Sequence, residues 1–327
     1  MTKQMSPSVG FIGLGMMGAP MALNLLKAGH SLVIHDSRPT AAAPHLEAGA
    51  TWADTPRELA GQCDVIFTCL PELHVIESVA LGRDGIIQGI RSGAAYFELS
   101  TGSPELAKRL HASFSERGAT FLDAPISGGA RGAIKGRLAI WVGGDKGVFE
   151  KYSPILRAMG DSPVHVGAAG AGIVTKLVNN CASLSTYALL AEVFALGVKA
   201  GADPLSLWEA VRQGAHGRRR SFDGMIDEFL PGKFDQANAA LRIAYKDMMI
   251  ATELGRELGV PTRIANIALA EYAEAMNLGW AERDCRSVMQ LPQRRVGIEI
   301  AVDPSDIQKV LERDPAAPTD TKHGKGL

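Results

Sequence analysis

Three glycines near the start of the chain have the spacing of a phosphate-binding turn. The pattern Gly13-x-Gly15-x-x-Gly18 follows the short apolar run Val9–Ile12 directly. Gly13 allows a tight turn, Gly15 has no Cβ and lets a pyrophosphate approach the backbone, and Gly18 lets a following helix pack closely on the strand. The unpaired N–H groups at the helix start would bind the anion. The residues expected to contact a cofactor here are Gly13, Leu14, Gly15, Met16, Met17 and Gly18.

An acid follows at the distance that a dinucleotide site requires. Residues 30–36 form an apolar run that ends in Asp36, which lies 36 − 13 = 23 residues after Gly13. An aspartate about 20 residues past the first glycine accepts hydrogen bonds from the ribose hydroxyls of NAD. The alternative is a capping aspartate in the turn 36–39. Because strand, glycines, helix, strand and acid occur in the required order, the sequence predicts an NAD site.

Two further groups of residues could act on a bound substrate. Lys176 and Asn180 interrupt an apolar helical pattern, and their four-residue spacing places them on one helix face. A lysine beside a positively charged nicotinamide can carry a proton near neutral pH, whereas a solvent-exposed lysine is the alternative. The turn Ser127-Gly128-Gly129 could hold a carboxylate on its backbone N–H groups, or it could be a plain glycine turn.

The elements that must position these residues are strands in the first half of the chain. Short apolar runs alternate with helical patterns, which predicts a mostly parallel, doubly wound sheet. Ligands bind at the carboxyl ends of such strands. The runs are 9–12, 32–36, 64–70, 94–99, 120–123, 138–142 and 164–166. The loops that follow them hold Leu70, Pro71, Ser100, Thr101 and residues 123–129, which we therefore expect around cofactor and substrate.

Helical patterns replace strands from about residue 168, at roughly 171–200, 203–213, 238–259, 261–277 and 284–301. The predicted fold is α/β, a Rossmann-type doubly wound sheet followed by an all-α C-terminal domain. We expect an NAD-binding domain at 1–167, a helical substrate and dimerisation domain at 168–302, and a flexible tail at 303–327. Residues 181–198 are apolar nearly all round, which predicts a central helix or a subunit interface, and hence a homodimer or homotetramer.

The composition is that of a globular protein with two domains. The chain has 327 residues, of which 46% are hydrophobic and 21% charged, and its net charge of −1 provides no general attraction to nucleic acid or to an anionic membrane. Residues 1–8 are polar, so no signal peptide is expected. The four cysteines lack metal-binding spacing and are expected to be reduced thiols of a cytoplasmic protein without a metal.

Residues 11–24 resemble the signature of the β-hydroxyacid dehydrogenases, the 3-hydroxyisobutyrate dehydrogenase family. Their sequence is Phe-Ile-Gly-Leu-Gly-Met-Met-Gly-Ala-Pro-Met-Ala-Leu-Asn. Three further matches follow in order along the chain. They are Asp123-Ala124-Pro125-Ile126-Ser127-Gly128-Gly129, Gly170-x-Gly172-x-x-x-Lys176-x-x-Asn179-Asn180, and Lys246-Asp247 ahead of Gly259-Val260-Pro261. The resemblance covers about residues 8–295.

The resemblance implies reversible, NAD-dependent oxidation of a small 3-hydroxy acid to its semialdehyde or 3-oxo acid. It makes Lys176 the catalytic acid/base and assigns substrate binding to Asn180, Ser127, Gly128 and Gly129. It places Lys246 against both cofactor and substrate, and it puts Leu70, Pro71 and Thr101 beside the nicotinamide. Asp36 would repel the 2′-phosphate of NADP, but Arg38 close by keeps NADP as an alternative cofactor.

Two alternative functions and three departures from the family pattern stay open. The alternatives are an NADPH-dependent semialdehyde reductase of the same fold and a non-catalytic dinucleotide-binding module, although such modules tend to lose the lysine that is present here as Lys176. Glu98 stands where the family usually has Asp, and Arg137 where Thr is usual. Residues Arg218, Arg219 and Arg220 form either a solvated basic turn or a subsite for a second anionic group of the substrate.

Overall fold

The computed structural model describes residues 7–199, 201–213, 223–259 and 262–312. The chain forms two compact units, of which the first ends at Val178 and the second begins at Asn179. This boundary lies 178 − 167 = 11 residues later than the expected one. The difference arises because the start of the long helix that follows the sheet is held by the first unit.

The first unit contains a nine-stranded sheet in its described residues. Its longer strands are built from apolar runs, and β1, β4 and β5 are buried at every residue. The strands are β1 (Val9–Ile12), β2 (Leu32–His35), β3 (Thr51–Trp52), β4 (Val65–Thr68), β5 (Ala95–Glu98), β6 (Thr120–Asp123), β7 (Ile126–Ser127), β8 (Ala139–Gly143) and β9 (Ser162–Gly167). The two-residue strands β3 and β7 were not predicted, because two residues show no hydrophobic periodicity.

The strand order is β3-β2-β1-β4-β5-β6-β8-β7, with β9 beside β8. Strands β1 to β6 pair in parallel, whereas β8 runs antiparallel to β6 and β7 and parallel to β9. The order reverses between β1 and β4, the position at which open α/β sheets bind ligands. The predicted doubly wound, mostly parallel sheet is thus confirmed.

The helices of the first unit begin where their sequences supply caps. The helices are α1 (Gly18–Lys27), α2 (Ala43–Glu47), α3 (Pro56–Gln62), α4 (Leu73–Leu81), α5 (Pro104–Glu116), α6 (Gly129–Lys135) and α7 (Lys146–Leu156). The side chains of Thr55, Ser103 and Asp145 accept hydrogen bonds from backbone N–H groups in the first turns of α3, α5 and α7. All but α6, which joins the antiparallel strands β7 and β8, connect parallel strands, as a parallel sheet requires.

Helices alone form the regular structure of the described second unit. They are α8 (Ala171–Lys199), which begins in the first unit, α9 (Pro204–Gln213), α10 (Leu241–Glu257), α11 (Arg263–Asn277), α12 (Gln290–Val296) and α13 (Pro304–Glu312). Their core contains the fully buried side chains of Trp208, Phe229, Phe234 and Tyr272. The helical C-terminal domain is therefore confirmed. No helix in the described ranges is both long and apolar enough to cross a bilayer.

Two details near the C-terminus differ from the sequence expectation. The prediction of a single helix at 284–301 is wrong. Residues Cys285–Met289 form a 3₁₀ turn, and α12 ends at Val296, just before Gly297, whose φ of 67° is left-handed. The expected flexible tail contains α13, because Ile307, Val310 and Leu311 form one apolar face that is buried in the core of the second unit. Residues 313–327 lie outside the described ranges.

Candidate active site

The glycine turn after β1 is tight on one side and open on the other. Gly13 has a φ of 96°, and a Cβ there would lie 2.3 Å from the carbonyl oxygen of Cys69. A Cβ on Gly18 would lie 1.8 Å from the carbonyl oxygen of Gly13, whereas one on Gly15 would meet nothing within 4 Å. The first turn of α1 has no side-chain cap and no acidic residue. These features fit a pyrophosphate placed beside Gly15 on the start of α1.

Asp36 anchors this turn. One carboxylate oxygen accepts the N–H of Leu14 at 2.7 Å, and the other accepts the N–H and the Nε–H of Arg38 at 2.8 and 3.3 Å. Burial alone would raise the pKa of Asp36, but these donors and the guanidinium charge outweigh it and hold the pKa below its usual value. Asp36 is therefore ionised at neutral pH and directly follows β2 beside the glycine turn. It also caps its own turn through Arg38, as the alternative interpretation expected, while its contact with a ribose stays a prediction.

The loops after β4 and β5 are joined by a short hydrogen bond. The N–H of Leu70 donates to the hydroxyl oxygen of Ser100 at 2.6 Å. Pro71 and Thr101 continue these two loops, and Pro71 is exposed. The backbone register pairs Thr68 with Glu98, so both loops leave the sheet at the same level. The structure thus brings together the segments expected to lie beside the nicotinamide.

Asp123, the last residue of β6, fixes the start of α8. Its carboxylate is fully buried and accepts the N–H groups of Gly170 at 2.7 Å and Ile173 at 2.8 Å. Burial raises the pKa of Asp123, against these hydrogen bonds and one from Gly172, which lower it. Sequence reasoning placed Asp123 in the ligand loop and missed this role. The only available signal was the aspartate in the 123–129 motif, since its partners lie 47 and 50 residues away.

Ser127, Gly128 and Gly129 connect β7 to α6 in a conformation that needs glycine. Ser127 pairs with Ala139 of β8, and Gly128 and Gly129 have φ values of 136° and 62°. The helix α6 then begins at Gly129 without a side-chain cap or an acidic residue in its first turn. Backbone N–H groups at this helix start suit a carboxylate ligand.

Lys176 lies on α8, three residues after Ile173, whose N–H is bound by Asp123. Its side chain is half-buried. Asn180 follows one turn later on the same continuous helix, although it belongs to the second unit. The predicted shared face of Lys176 and Asn180 is consistent with this helix.

In the second unit, Asp247 binds Asn180. The Nδ2 of Asn180 donates to Asp247 at 2.6 Å, and the side chain of Asn179 donates to the Oδ1 of Asn180 at 3.2 Å. Lys246 places its Nζ 3.1 Å from the other, buried oxygen of Asp247, as an ion pair without hydrogen-bond geometry. Sequence reasoning named Asn180 and Lys246 but assigned no role to Asp247. An acid directly after Lys246 was its only signal.

The remaining predictions concern the arginine cluster, metal binding and the cysteines. Arg218, Arg219 and Arg220 lie outside the described residues. Within the described ranges, no three His, Cys, Asp or Glu side chains are grouped so that they could hold a metal ion. The four cysteines, all in described positions, are free thiols.

Two family models match the chain. Residues 8–195 match the NAD binding domain of 6-phosphogluconate dehydrogenase, and residues 170–291 match a domain described as the NAD-binding domain of NADP-dependent 3-hydroxyisobutyrate dehydrogenase. The chain belongs to the 3-hydroxyisobutyrate dehydrogenase-like β-hydroxyacid dehydrogenases. It is an NAD(P)-dependent enzyme of this 3-hydroxyacid dehydrogenase family, with an NAD(P)-binding domain at its N-terminal end.

The similarity to known relatives extends over most of this dehydrogenase. It is 32% identical to 2-(hydroxymethyl)glutarate dehydrogenase of Eubacterium barkeri, over 90% of this chain and 98% of the relative. It is 35% identical to NAD-dependent L-serine dehydrogenase of Pseudomonas aeruginosa, over 86% and 97%. The crystal structure of 3-hydroxyisobutyrate dehydrogenase from Salmonella typhimurium superposes with a TM-score of 0.78 at 28% identity, covering 88% of this chain and all of that one.

We predict that Asp123→Asn destabilises the enzyme and lowers its kcat. The amide would present a donor to a backbone N–H that needs an acceptor, and a buried unsatisfied donor costs about 1–3 kcal/mol. The loss falls on the first turn of α8, one turn before Lys176. Urea denaturation should show the lower stability, and steady-state assays should show a kcat decrease larger than any change in NAD affinity.

Asp145→Asn is the matched control, because Asp145 caps α7 on the protein surface by accepting the N–H of Val148 at 2.7 Å. Asparagine is as good a helix cap as aspartate, so this change should alter neither stability nor kcat by much. Wild-type stability and kcat in Asp123→Asn would contradict the assigned role of Asp123.

Proposed function

We propose that this dehydrogenase interconverts a small 3-hydroxy carboxylic acid and its semialdehyde or 3-oxo acid, using NAD, with Lys176 as the acid/base. The observation that carries the proposal is the anchoring of α8. Asp123 holds the first turn of this helix, and the half-buried Lys176 follows three residues after Ile173. A lysine held in this way on a regular helix has the fixed position that proton transfer requires.

The remaining site residues have separate roles in this proposal. Ser127, Gly128 and Gly129 bind the substrate carboxylate through the N–H groups at the start of α6. Asn180 holds the reacting hydroxyl beside Lys176, and Asp247 orients the amide of Asn180 through their 2.6 Å hydrogen bond. Lys246, paired with Asp247, would contact both cofactor and substrate.

The cofactor would be held by the glycine turn, by Asp36, and by Leu70, Pro71 and Thr101. Bound NAD supplies the acceptor for the hydride that leaves the substrate's hydroxyl-bearing carbon. Lys176 takes the hydroxyl proton in the oxidation direction and returns it in the reduction direction. Ser127, Gly128 and Gly129 keep the carboxylate in one place, so that each substrate presents the same carbon.

The named substrates of relatives support the substrate class. L-Serine, 2-(hydroxymethyl)glutarate and 3-hydroxyisobutyrate all carry a hydroxymethyl group on the carbon that bears the carboxylate. We propose that the substrate of this enzyme shares this unit. A panel of such acids, assayed with NAD and with NADP at 340 nm in both directions, tests the proposal and separates it from an NADPH-dependent semialdehyde reductase. No turnover of any acid in the panel would refute the proposed substrate class.

We also propose that the enzyme is at least a dimer and resides in the cytoplasm. Val178 and Leu189 on α8 are 65% and 55% exposed, and 189 − 178 = 11 residues is about three helical turns, so both side chains lie on one side of the helix. An exposed apolar row of this kind is typical of a subunit interface. The free cysteines support a reducing compartment.

We predict that Lys176→Ala removes nearly all turnover while NAD binding stays close to wild type. A positioned acid/base contributes about 10²–10⁴-fold to the rate, and the cofactor residues lie on other elements. Initial rates at 340 nm and fluorescence quenching by NAD measure the two quantities.

Lys199→Ala is the control, because Lys199 lies at the other end of α8 and donates to the backbone oxygen of Val296 at 3.0 Å. This variant should keep its activity. If Lys176→Ala retains more than about a tenth of wild-type turnover, a loss of only ~1.4 kcal/mol, then Lys176 is not the acid/base.

NAD should be preferred over NADP by about tenfold or more, since the ionised Asp36 would face the 2′-phosphate, and juxtaposed like charges cost several kcal/mol. Asp36→Asn should narrow this preference, whereas Asp84→Asn on the surface should leave it unchanged. The kcat/KM values for both cofactors measure it. Equal or better efficiency of the wild-type enzyme with NADP would refute the prediction, and Arg38 would then be the residue to replace.

Sedimentation at micromolar concentration should show a species of at least twice the chain mass of 34.7 kDa. Leu189→Glu should shift it towards the monomer, because a buried unpaired charge opposes association. Ser183→Glu, an exposed position on another side of α8, should not. A monomer in the wild-type enzyme would overturn the proposal.

A further inference from the structure

We propose that Glu98 is a positioning residue for the cofactor, because its buried carboxylate fixes the two loops beside the nicotinamide. The proposal rests on the proposed function, in which Leu70, Pro71 and Thr101 line the nicotinamide. It concerns a residue at which this chain departs from the family pattern, since the family usually has Asp at this position.

Glu98 is the last residue of β5 and is 2% exposed. One carboxylate oxygen accepts the N–H of Ser100 at 2.9 Å. The other accepts the hydroxyl of Thr68 at 2.5 Å and that of Tyr96 at 2.7 Å. A single side chain thus binds residues at the ends of two neighbouring strands.

Ser100 transmits this arrangement to the next loop. Its side-chain Oγ accepts the N–H of Leu70 at 2.6 Å, while its backbone N–H donates to Glu98. A chain of hydrogen bonds therefore leads from Glu98 through Ser100 to Leu70. Thr68, two residues before Leu70, donates to Glu98 directly and so links the end of β4 to the same carboxylate. Tyr96 reaches the carboxylate from the core, where its ring packs against Phe114 and Phe121, and its hydroxyl oxygen also lies 3.0 Å from that of Thr68.

The donors to this carboxylate are uncharged. Burial raises the pKa of Glu98, and the hydrogen bonds from Ser100, Thr68 and Tyr96 only partly oppose the increase. Such a group is stabilised by directional hydrogen bonds, so its donors are held in fixed orientations. An aspartate at this position would be shorter by one C–C bond, about 1.5 Å, and could not reach all three donors from the same backbone.

The experiment compares two ligands that share the adenine half of the cofactor. ADP-ribose needs only the glycine turn and Asp36, whereas NADH also places a nicotinamide beside Leu70, Pro71 and Thr101. NADH affinity is measured from its own fluorescence on binding, and ADP-ribose affinity by competition. The ratio of the two affinities reports the nicotinamide side alone.

Glu98→Met fills the space but accepts no hydrogen bond, and it should lower NADH affinity about tenfold with ADP-ribose affinity unchanged. Glu98→Gln keeps one carbonyl acceptor for Ser100 and should restore NADH affinity to within about threefold of wild type. Ser100→Ala breaks the chain without altering the core and should reproduce the loss, even if Glu98→Met does not fold. Tyr152→Phe is the matched control, because the hydroxyl of this buried tyrosine donates to the backbone oxygen of Asp64 at 3.3 Å rather than to Glu98, and it should leave the ratio unchanged.

A wild-type ratio in both Glu98→Met and Ser100→Ala overturns the proposal. Equal losses for both ligands, or the same loss in Tyr152→Phe, also overturn it, since each indicates a general structural role. The affinity ratio is measured without turnover, so it tests this proposal independently of the proposed function. If the ratio changes as expected but the wild-type enzyme oxidises no 3-hydroxy acid, Glu98 retains its role and the proposed reaction fails.

Discussion

The contact between the Asp123 carboxylate and the first turn of α8 is the interaction on which the candidate site depends. It joins the end of β6 to the helix that carries Lys176, through the N–H groups of Gly170 and Ile173. A buried carboxylate is costly unless hydrogen bonds compensate it, and here the unpaired donors of a helix start provide them. The positive end of the helix dipole adds to this stabilisation. The N–H groups at the helix start therefore compensate the buried carboxylate, and the carboxylate gives these N–H groups an acceptor.

A second buried carboxylate extends this arrangement across the sheet. In the register of the parallel strands, Asp123 is the partner of Glu98, and Glu98 is the partner of Thr68. Residues at one level of neighbouring parallel strands point to the same side of the sheet. Thr68, Glu98 and Asp123 thus form a row at the carboxyl ends of β4, β5 and β6. This row holds the loops after β4 and β5 and the start of α8, which is why several segments distant in sequence can form one site.

The sequence predicts those parts of this arrangement that depend on local spacing. The glycine turn, Asp36 and the course of α8 follow from residues close together in the chain. The structure confirms the turn after β1 and the helix, whereas the roles of the glycines and of Asp36 in cofactor binding stay predictions. The partners of Asp123 and Glu98 could not be predicted, because Gly170, Ile173 and Thr68 lie 30 to 50 residues away, and local spacing does not show that the nearby Tyr96 and Ser100 donate to Glu98. The break at Gly297 and the burial of α13 were missed for a related reason, since local composition alone does not show whether a segment packs on a distant core.

Three glycines around Asp123 show how this arrangement constrains the evolution of the chain. A Cβ on Gly143 would lie 2.6 Å from the Asp123 carboxylate, and one on Gly172 would lie 2.4 Å from the carbonyl oxygen of Trp141 and 2.9 Å from the same carboxylate. Gly170, with a φ of 94°, makes the turn that delivers its N–H. A side chain at any of these positions would disturb the contact, because Gly143 and Gly172 have no space for a Cβ and Gly170 needs a positive φ. Grafting α8, with its Lys176, onto another nucleotide-binding sheet would therefore require moving Asp123 and all three glycines with it.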